Sequence, residues 1–504
     1  MRLVTASWPS RASAGIVVRW ETFPVSISTI PALGSSHVTT DHRYQRNGAF
    51  LVKFRFQSKT YRKSPIKTIT QISKSLQNIF GSEAKRLAKE TGFIQREVKV
   101  NGSNFAETLV FGFLNNPKMS YRQMSQSGSL SGLAITAQGL EQKFSNRSAE
   151  FMQAMLESTV SQLIKTSLSK EIDLLDRFSR IHIQDGSVIG LPDGCVEIWQ
   201  GVRPKNKKGR SAVKLHVSLE YKSGQVSGPA LANGREHDQK SPFFHRTLQS
   251  GELRITDLGF FDLDQLKNDS QAGGFWIIRH KHNVILYEND KELQLASFLK
   301  KQRHDIVDIP IQLGQTHRLP SRLIAIRADA QTAAERIRKL RADAKKRKKP
   351  LSAERVLLAH WTIMLTNAPQ DLLSPLEVYT LLRLRWQIEL LFRLWKTYSQ
   401  VDESESENPW RILTEMYAKL IAVLIQQWIL LASVWHIPNK SIVLAASLIQ
   451  TYAIFMQISL KDKDALCAAL STLVKLLQST PRLLKRKQKP STHQTLLDPQ
   501  LALR

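Results

Sequence analysis

Three carboxylates and a row of cations carry the chemistry legible in this sequence. Asp185 stands in QDGSVIGLP, Asp257 in RITDLGFF and Glu389 in RLRWQIELLFRLWK. Along the last stretch Arg385, Glu389, Arg393 and Lys396 fall at i, i+4, i+8 and i+11, on one helical face. Leu381, Leu384, Ile388, Leu391 and Trp395 follow the same spacing on an adjoining face that can pack. Such a stripe is by itself an ordinary solvated row of Glu–Arg pairs, each worth a few tenths of a kcal/mol. The flanking aromatics Trp386, Phe392 and Trp395 suit a stripe lying in a groove. Asp185 and Asp257 each end an alternating apolar strand, where a turn-forming Asp is common. Both strands belong to one expected sheet, and Glu389 lies on a helix that follows it. Three carboxylates converging at a sheet edge repel unless cations bind, and hard oxygen donors suit Mg²⁺, with Mn²⁺ as a substitute. Two such ions about 4 Å apart clamp the attacking and leaving oxygens of a phosphodiester. Arg385, Arg393 and Lys396 would then hold phosphates beside the scissile bond.

The elements that must position these residues show in the changing period of the chain. Residues 1–58 are rich in Ser, Thr and Pro without sustained periodicity, and are expected to be disordered or an over-extended start of translation. Residues 59–175 read as helical. Within them Ser120 to Ser145 resembles two short helices with a turn, a helix-turn-helix or a plain packing unit. From about 176 the period becomes two: RIHIQDGSVIGL, SAVKLHVSLEY, a KSGQ hairpin turn and VSGPALANG. Asp238 then opens a candidate helix, followed by the strand ELRIT, the short helix FDLDQLKN and the strand GGFWIIRHK, to 283. Residues 284–358 hold more strand-like pieces and a basic helix with Lys346 and Arg347. Residues 359–408 hold the strand WTIMLTN and one long helix, started by Ser374, Pro375 and Glu377. Residues 409–504 are helical with a basic tail.

Composition narrows the partner. The net charge is +29, from 72 Lys and Arg against 43 Asp and Glu, and favours a polyanion, nucleic acid first. The runs RPKNKKGR, with Lys207, Lys208 and Arg210, and AKKRKK are candidate phosphate contacts. Two distant cysteines, Cys195 and Cys467, exclude a disulfide framework and fit a reducing cytoplasm. The N-terminus lacks a continuous apolar run, so a signal peptide is not expected. The apolar segment Ile421 to Trp435 is short for a membrane span and contains Gln426 and Gln427, so a buried core helix is expected.

Taken in order, these motifs resemble the DDE transposases of bacterial insertion sequences, in the group marked by Y-x2-R-x3-E-x6-K. Arg385, Glu389 and Lys396 match the R, E and K; QDGSVIGLP matches the first-Asp motif, DLGFF the second, and WTIMLTNAP the strand before the last helix. The resemblance spans about 105 to 440. It implies an α/β fold, a ribonuclease-H-like catalytic core with a β-rich insertion, flanked by helical N- and C-terminal regions. It implies metal-dependent cutting of transposon ends and strand transfer into target DNA, with Asp185, Asp257 and Glu389 as ligands of two Mg²⁺ ions. It also implies a homodimer on double-stranded DNA, acting in the cytoplasm at the nucleoid. At position 382 this chain has Leu where the family has Tyr, and Tyr379 lies one turn earlier. A catalytically silent DNA-binding descendant is the alternative reading.

Overall fold

Alternation of Val213, Leu215, Val217 and Leu219 turns four apolar side chains to one face of a strand, and all four are buried. That strand belongs to a ten-stranded sheet. The computed structural model describes residues 65–96, 99–202, 211–479 and 490–503. Residues 1–58, the run RPKNKKGR with Lys207, Lys208 and Arg210, and the basic tail over 480–489 lie outside the described residues.

The strands are β1 (Ile181–Leu191), β2 (Ser211–Glu220), β3 (Gln225–Asn233), β4 (Leu253–Thr256), β5 (Phe275–Arg279), β6 (Leu286–Glu288), β7 (Lys291–Glu292), β8 (Ile306–Leu313), β9 (Leu319–Arg327) and β10 (Trp361–Thr366). Their order across the sheet is β3-β2-β1-β4-β5-β10-β9-β8-β6-β7. The meander β1-β2-β3 is antiparallel, and β1, β4 and β5 run parallel. β10 lies antiparallel between β5 and β9, so the strands of the 284–358 region extend the same sheet.

Among the described residues the chain opens with α1 (Ile66–Asn78), α2 (Ala84–Glu90), α3 (Gly102–Asn115), α4 (Tyr121–Gly128), α5 (Ala137–Glu141) and α6 (Asn146–Ser161). A short α7 (Asp173–Asp176) leads into β1, and α8 (Leu263–Gln271) joins β4 to β5. Among the later strands lie α9 (Leu295–Lys300), α10 (Ala330–Arg347) and α11 (Ala353–Leu358). After β10 come α12 (Pro375–Arg383), α13 (Trp386–Arg393), α14 (Pro409–Ser433), α15 (Ile442–Ser459), α16 (Lys463–Ser479) and α17 (Thr492–Leu497). One face of β1, β2, β4 and β5 shares a core with the N- and C-terminal helices. A second core joins α8, α9, β8 and β9. α14 and α15 are long and apolar enough to cross a membrane by length and composition, but the apolar window of α14 is wholly buried within the protein.

Three local expectations fail. β1 does not end at Asp185; it runs on to Leu191, because β2 continues to pair with it as far as Leu191 opposite Ser211. The helix expected from Asp238 is a single 3-10 turn, Asp238–Lys240. Pro242 interrupts it, and side chains of the sheet take the next carbonyls: Gln184 donates to Phe243 O and Arg254 to Phe244 O. The long helix from Ser374 is two helices, α12 and α13, joined by an overwound turn. There Leu384 N–H donates to Leu381 O, and Gln387 N–H to Leu384 O. A π-turn, Leu394–Tyr398, follows. Apolar spacing tolerates i+3 and i+4 alike, so it registers neither change.

Candidate active site

Parallel pairing of β1 with β4 reaches Gln184 opposite Thr256, and the next residue on each strand is Asp185 and Asp257. The two carboxylates therefore stand side by side where the parallel pairing stops. By alternation Asp185 shares its face with Ile183 and Ile189, which join the helical core on that side. α13 packs on β1 from the same side and brings up Glu389.

Arg385 gathers all three. Its guanidinium lies 2.5 Å from Glu389 Oε1, 3.7 Å from Asp185 Oδ2 and 4.0 Å from Asp257 Oδ1. The Arg385 side chain is 16% exposed and Asp257, the most open of the carboxylates, 45%. Burial pushes the Asp185 carboxyl up to about 6, and the charges of Asp257 and Glu389 push the same way. The Gly186 N–H, which donates to Asp185 Oδ1 at 2.8 Å, and the Arg385 charge oppose the shift. Arg385 supplies one positive charge to three carboxylates, which leaves the group a net acceptor of cations. Among the described residues no three His, Cys, Asp or Glu side chains are close enough to ligate one ion as they stand. The carboxylates ring a guanidinium, and this hard, anionic oxygen set fits a divalent cation of the Mg²⁺ class on withdrawal of Arg385.

The remaining predicted residues fall into two sets. Lys396 lies at the π-turn and donates from Nζ to Val188 O at 2.8 Å, tying the end of the helix to the extension of β1. Arg393 is exposed on α13. Trp386 (54% exposed), Leu390 and Leu258, which neighbour Arg385, Glu389 and Asp257 in the chain, are exposed, as is Val188, whereas Phe392 and Trp395 are buried. Leu382 is buried in the core, and Tyr379 packs against that core with the Arg383 guanidinium 5.8 Å from its ring. Lys346 and Arg347 are on the exposed last turn of α10, a helix anchored through Arg336 to Trp361 O and Thr362 Oγ1. They do not join the carboxylate cluster. Sequence reasoning missed the polar layer on the opposite face of the sheet, where Lys214 pairs with Asp238 and Arg254 with Asp269. Lys214, His216 and Ser218 alternate with the apolar residues of β2 and read from sequence as a solvated face; their burial comes from the fold.

Residues 176–425 match the family described as the transposase DDE domain, a span that includes all three carboxylates. The chain carries a transposase DDE domain. It is 26% identical over 436 residues to the transposase for insertion sequence element IS231F of Bacillus thuringiensis subsp. israelensis, covering 80% of this chain and 90% of that one. It is 24% identical over 406 residues to the transposase for insertion sequence element IS1151 of Clostridium perfringens, covering 75% and 83%. A putative transposase InsL for element IS186A of Escherichia coli (strain K12) is 22% identical over 253 residues, 48% of this chain and 64% of the relative. The activity of this DDE enzyme is DNA transposition.

Proposed function

We propose that this transposase cuts DNA at the ends of its own insertion sequence through Asp185, Asp257 and Glu389, and joins the freed ends to target DNA. One observation carries the reading: the three carboxylates, one within β1, one just past the end of the adjacent β4 and one on a helix, all face the same guanidinium. The strand order β3-β2-β1-β4-β5, antiparallel in the meander and parallel beyond it, supports a ribonuclease-H-like core with the 284–358 strands as an insertion.

Asp185, Asp257 and Glu389 would hold two Mg²⁺ ions, which supply Lewis-acid stabilisation of the attacking and leaving oxygens. Arg385 balances the carboxylates before DNA arrives, and is placed to turn to a phosphate beside the cut. Arg393 and Lys396 hold further phosphates. The exposed Trp386 ring offers a stacking surface for a base near the end. In the first reaction water attacks the phosphorus, the P–O3′ bond breaks, and a 3′-OH is released. In the second that hydroxyl gives up its proton and attacks a phosphodiester of the opposite strand or the target, the P–O3′ bond of that phosphodiester breaks, and its O3′ takes up a proton as a new 3′-OH. Lys346 and Arg347 would contact DNA at a distance from the chemistry, and Lys207, Lys208 and Arg210 would add further DNA contacts. Residues 59–175 would bind the element's ends, and two copies would pair them in the cytoplasm at the nucleoid.

The test is cleavage by Glu389→Gln of DNA carrying the element's ends. Loss of nicking with end binding retained is expected. Full nicking by this variant overturns the assignment, and absence of cutting by wild type under the same conditions favours the silent descendant.

A further inference from the structure

The face of the sheet opposite the carboxylates is covered by residues 236–246, which have little regular structure and touch both aspartate-bearing elements. Gln184, the residue before Asp185, donates from Nε2 to Phe243 O at 2.7 Å. Arg254, on β4, donates to Phe244 O at 2.8 Å and to Arg246 O. Gln239 Nε2 donates to Phe261 O at 2.9 Å, in the loop that follows Asp257.

Asp238 lies at the centre of this clasp. Its Oδ1 is 2.7 Å from Lys214 Nζ, which also donates to Glu236 O at 2.7 Å. A methyl group on Gly186 would come within 3.0 Å of Asp238 Oδ1, and one on Gly259 within 2.6 Å of Oδ2. Asp238 thus fits between the glycine that follows Asp185 and the glycine two residues after Asp257. Beside it His216, 1% exposed, has neither ring nitrogen hydrogen-bonded; Nε2 is 3.6 Å from Glu236 Oε1. Gly186 and its partner His216 share a face, and Asp185 points to the other one. Asp238 is therefore behind the carboxylates and outside their ligand set.

We propose that Asp238, held by Lys214, is a positioning residue that sets the separation of Asp185 and Asp257 and so the affinity of the carboxylate triad for its divalent cation. This rests on the carboxylates being the metal ligands. Both glycines follow from it, because a side chain at either would push Asp238 away from the backbone beside Asp185 and Asp257. Residues that orient metal ligands from behind change affinity by about 10- to 100-fold when altered.

The experiment measures Mn²⁺ binding to the full-length, metal-free protein by the loss of the free-ion EPR signal, without DNA. Variants are Asp238→Asn, Gly259→Ala and, as the ligand control, Asp185→Asn. Asp238→Asn is expected to bind Mn²⁺ about 10-fold more weakly, with unchanged end-DNA binding in metal-free buffer. Its cleavage rate should return to within about twofold of wild type at saturating Mn²⁺, which a loss of general stability would not produce. Gly259→Ala should weaken binding in the same direction and serves if Asp238→Asn does not fold. Wild-type affinity in the Asp238 and Gly259 variants, with binding lost in Asp185→Asn, overturns this inference alone. Wild-type affinity in Asp185→Asn overturns the carboxylate assignment and this inference with it.

Discussion

At the residue scale the chemistry depends on three carboxylates and the guanidinium they share. Asp257→Asn or Glu389→Gln removes a charged oxygen donor without changing side-chain size much. Each should lower cleavage by about 10³-fold or more, equivalent to several kcal/mol of transition-state stabilisation. Binding to end DNA should persist, and gel-shift and nicking assays on the same preparation separate the two. Arg385→Ala has a different signature. Without the guanidinium the three carboxylates face one another uncompensated, so the metal-free protein should melt at lower temperature. Mg²⁺ should then raise its melting temperature by more than it raises that of wild type. Equal Mg²⁺ effects in the two proteins would show that the guanidinium does not stand in the cation's place.

At the element scale α12, which leads into the Glu389-bearing α13, is fixed at its start. Glu377, at the start of α12, accepts from the Ser374 N–H at 2.8 Å and from Ser374 Oγ at 2.9 Å, and meets Arg177 at 2.7 Å. Glu377→Ala should cost about 1 kcal/mol in urea unfolding, the usual value of a lost helix cap, with little from the part-exposed ion pair. The start of this helix was legible in the sequence because Ser, Pro and Glu stand at cap spacing. Its division at Leu384–Arg385 was not, since an overwound turn preserves the apolar stripe. The strands β2, β4, β5 and β10 were legible from alternation and apolar runs. The continuation of β1 past Asp185 was hidden because Asp185-Gly186 reads as a turn, and only pairing with β2 keeps it extended. The role open to Asp238 was hidden for a related reason: beside a hairpin an Asp reads as a cap, while its partners Lys214, Gly186 and Gly259 come from distant sequence.

At the scale of the whole molecule, charge and burial set the behaviour with salt and pH. Lys346 and Arg347 stand on an exposed helix turn away from the carboxylates, so they should contribute to DNA affinity without affecting chemistry. The Lys346→Ala/Arg347→Ala pair should reduce the slope of log K against log salt by about two, equally for end and unrelated DNA. An unchanged slope would remove α10 from the DNA contact surface. Glu107 on α3 is buried, which raises its carboxyl from 4.5 to about 7 against the opposing Ser131 hydroxyl and Lys461 charge. The folded chain then holds a proton that the unfolded chain releases, so stability falls as pH rises through that window. Glu107→Gln should be more stable than wild type at pH 8, by at most about 3 kcal/mol, with the advantage vanishing near pH 4.5. Denaturant melts of both proteins across that range check it. The positive surface charge and the three motifs in order made DNA chemistry legible from sequence; the Arg385 arrangement required the fold.

Whether the carboxylates cut DNA is decided by cleavage of a plasmid carrying the gene's own flanking DNA, with Mg²⁺, by wild type and by Asp185→Asn. Cuts at the element ends by wild type alone are the predicted result, and would also show that Leu382 in the core is compatible with activity. Equal cutting by both proteins would contradict the carboxylate site, and no cutting by either, with binding intact, would contradict an active transposase.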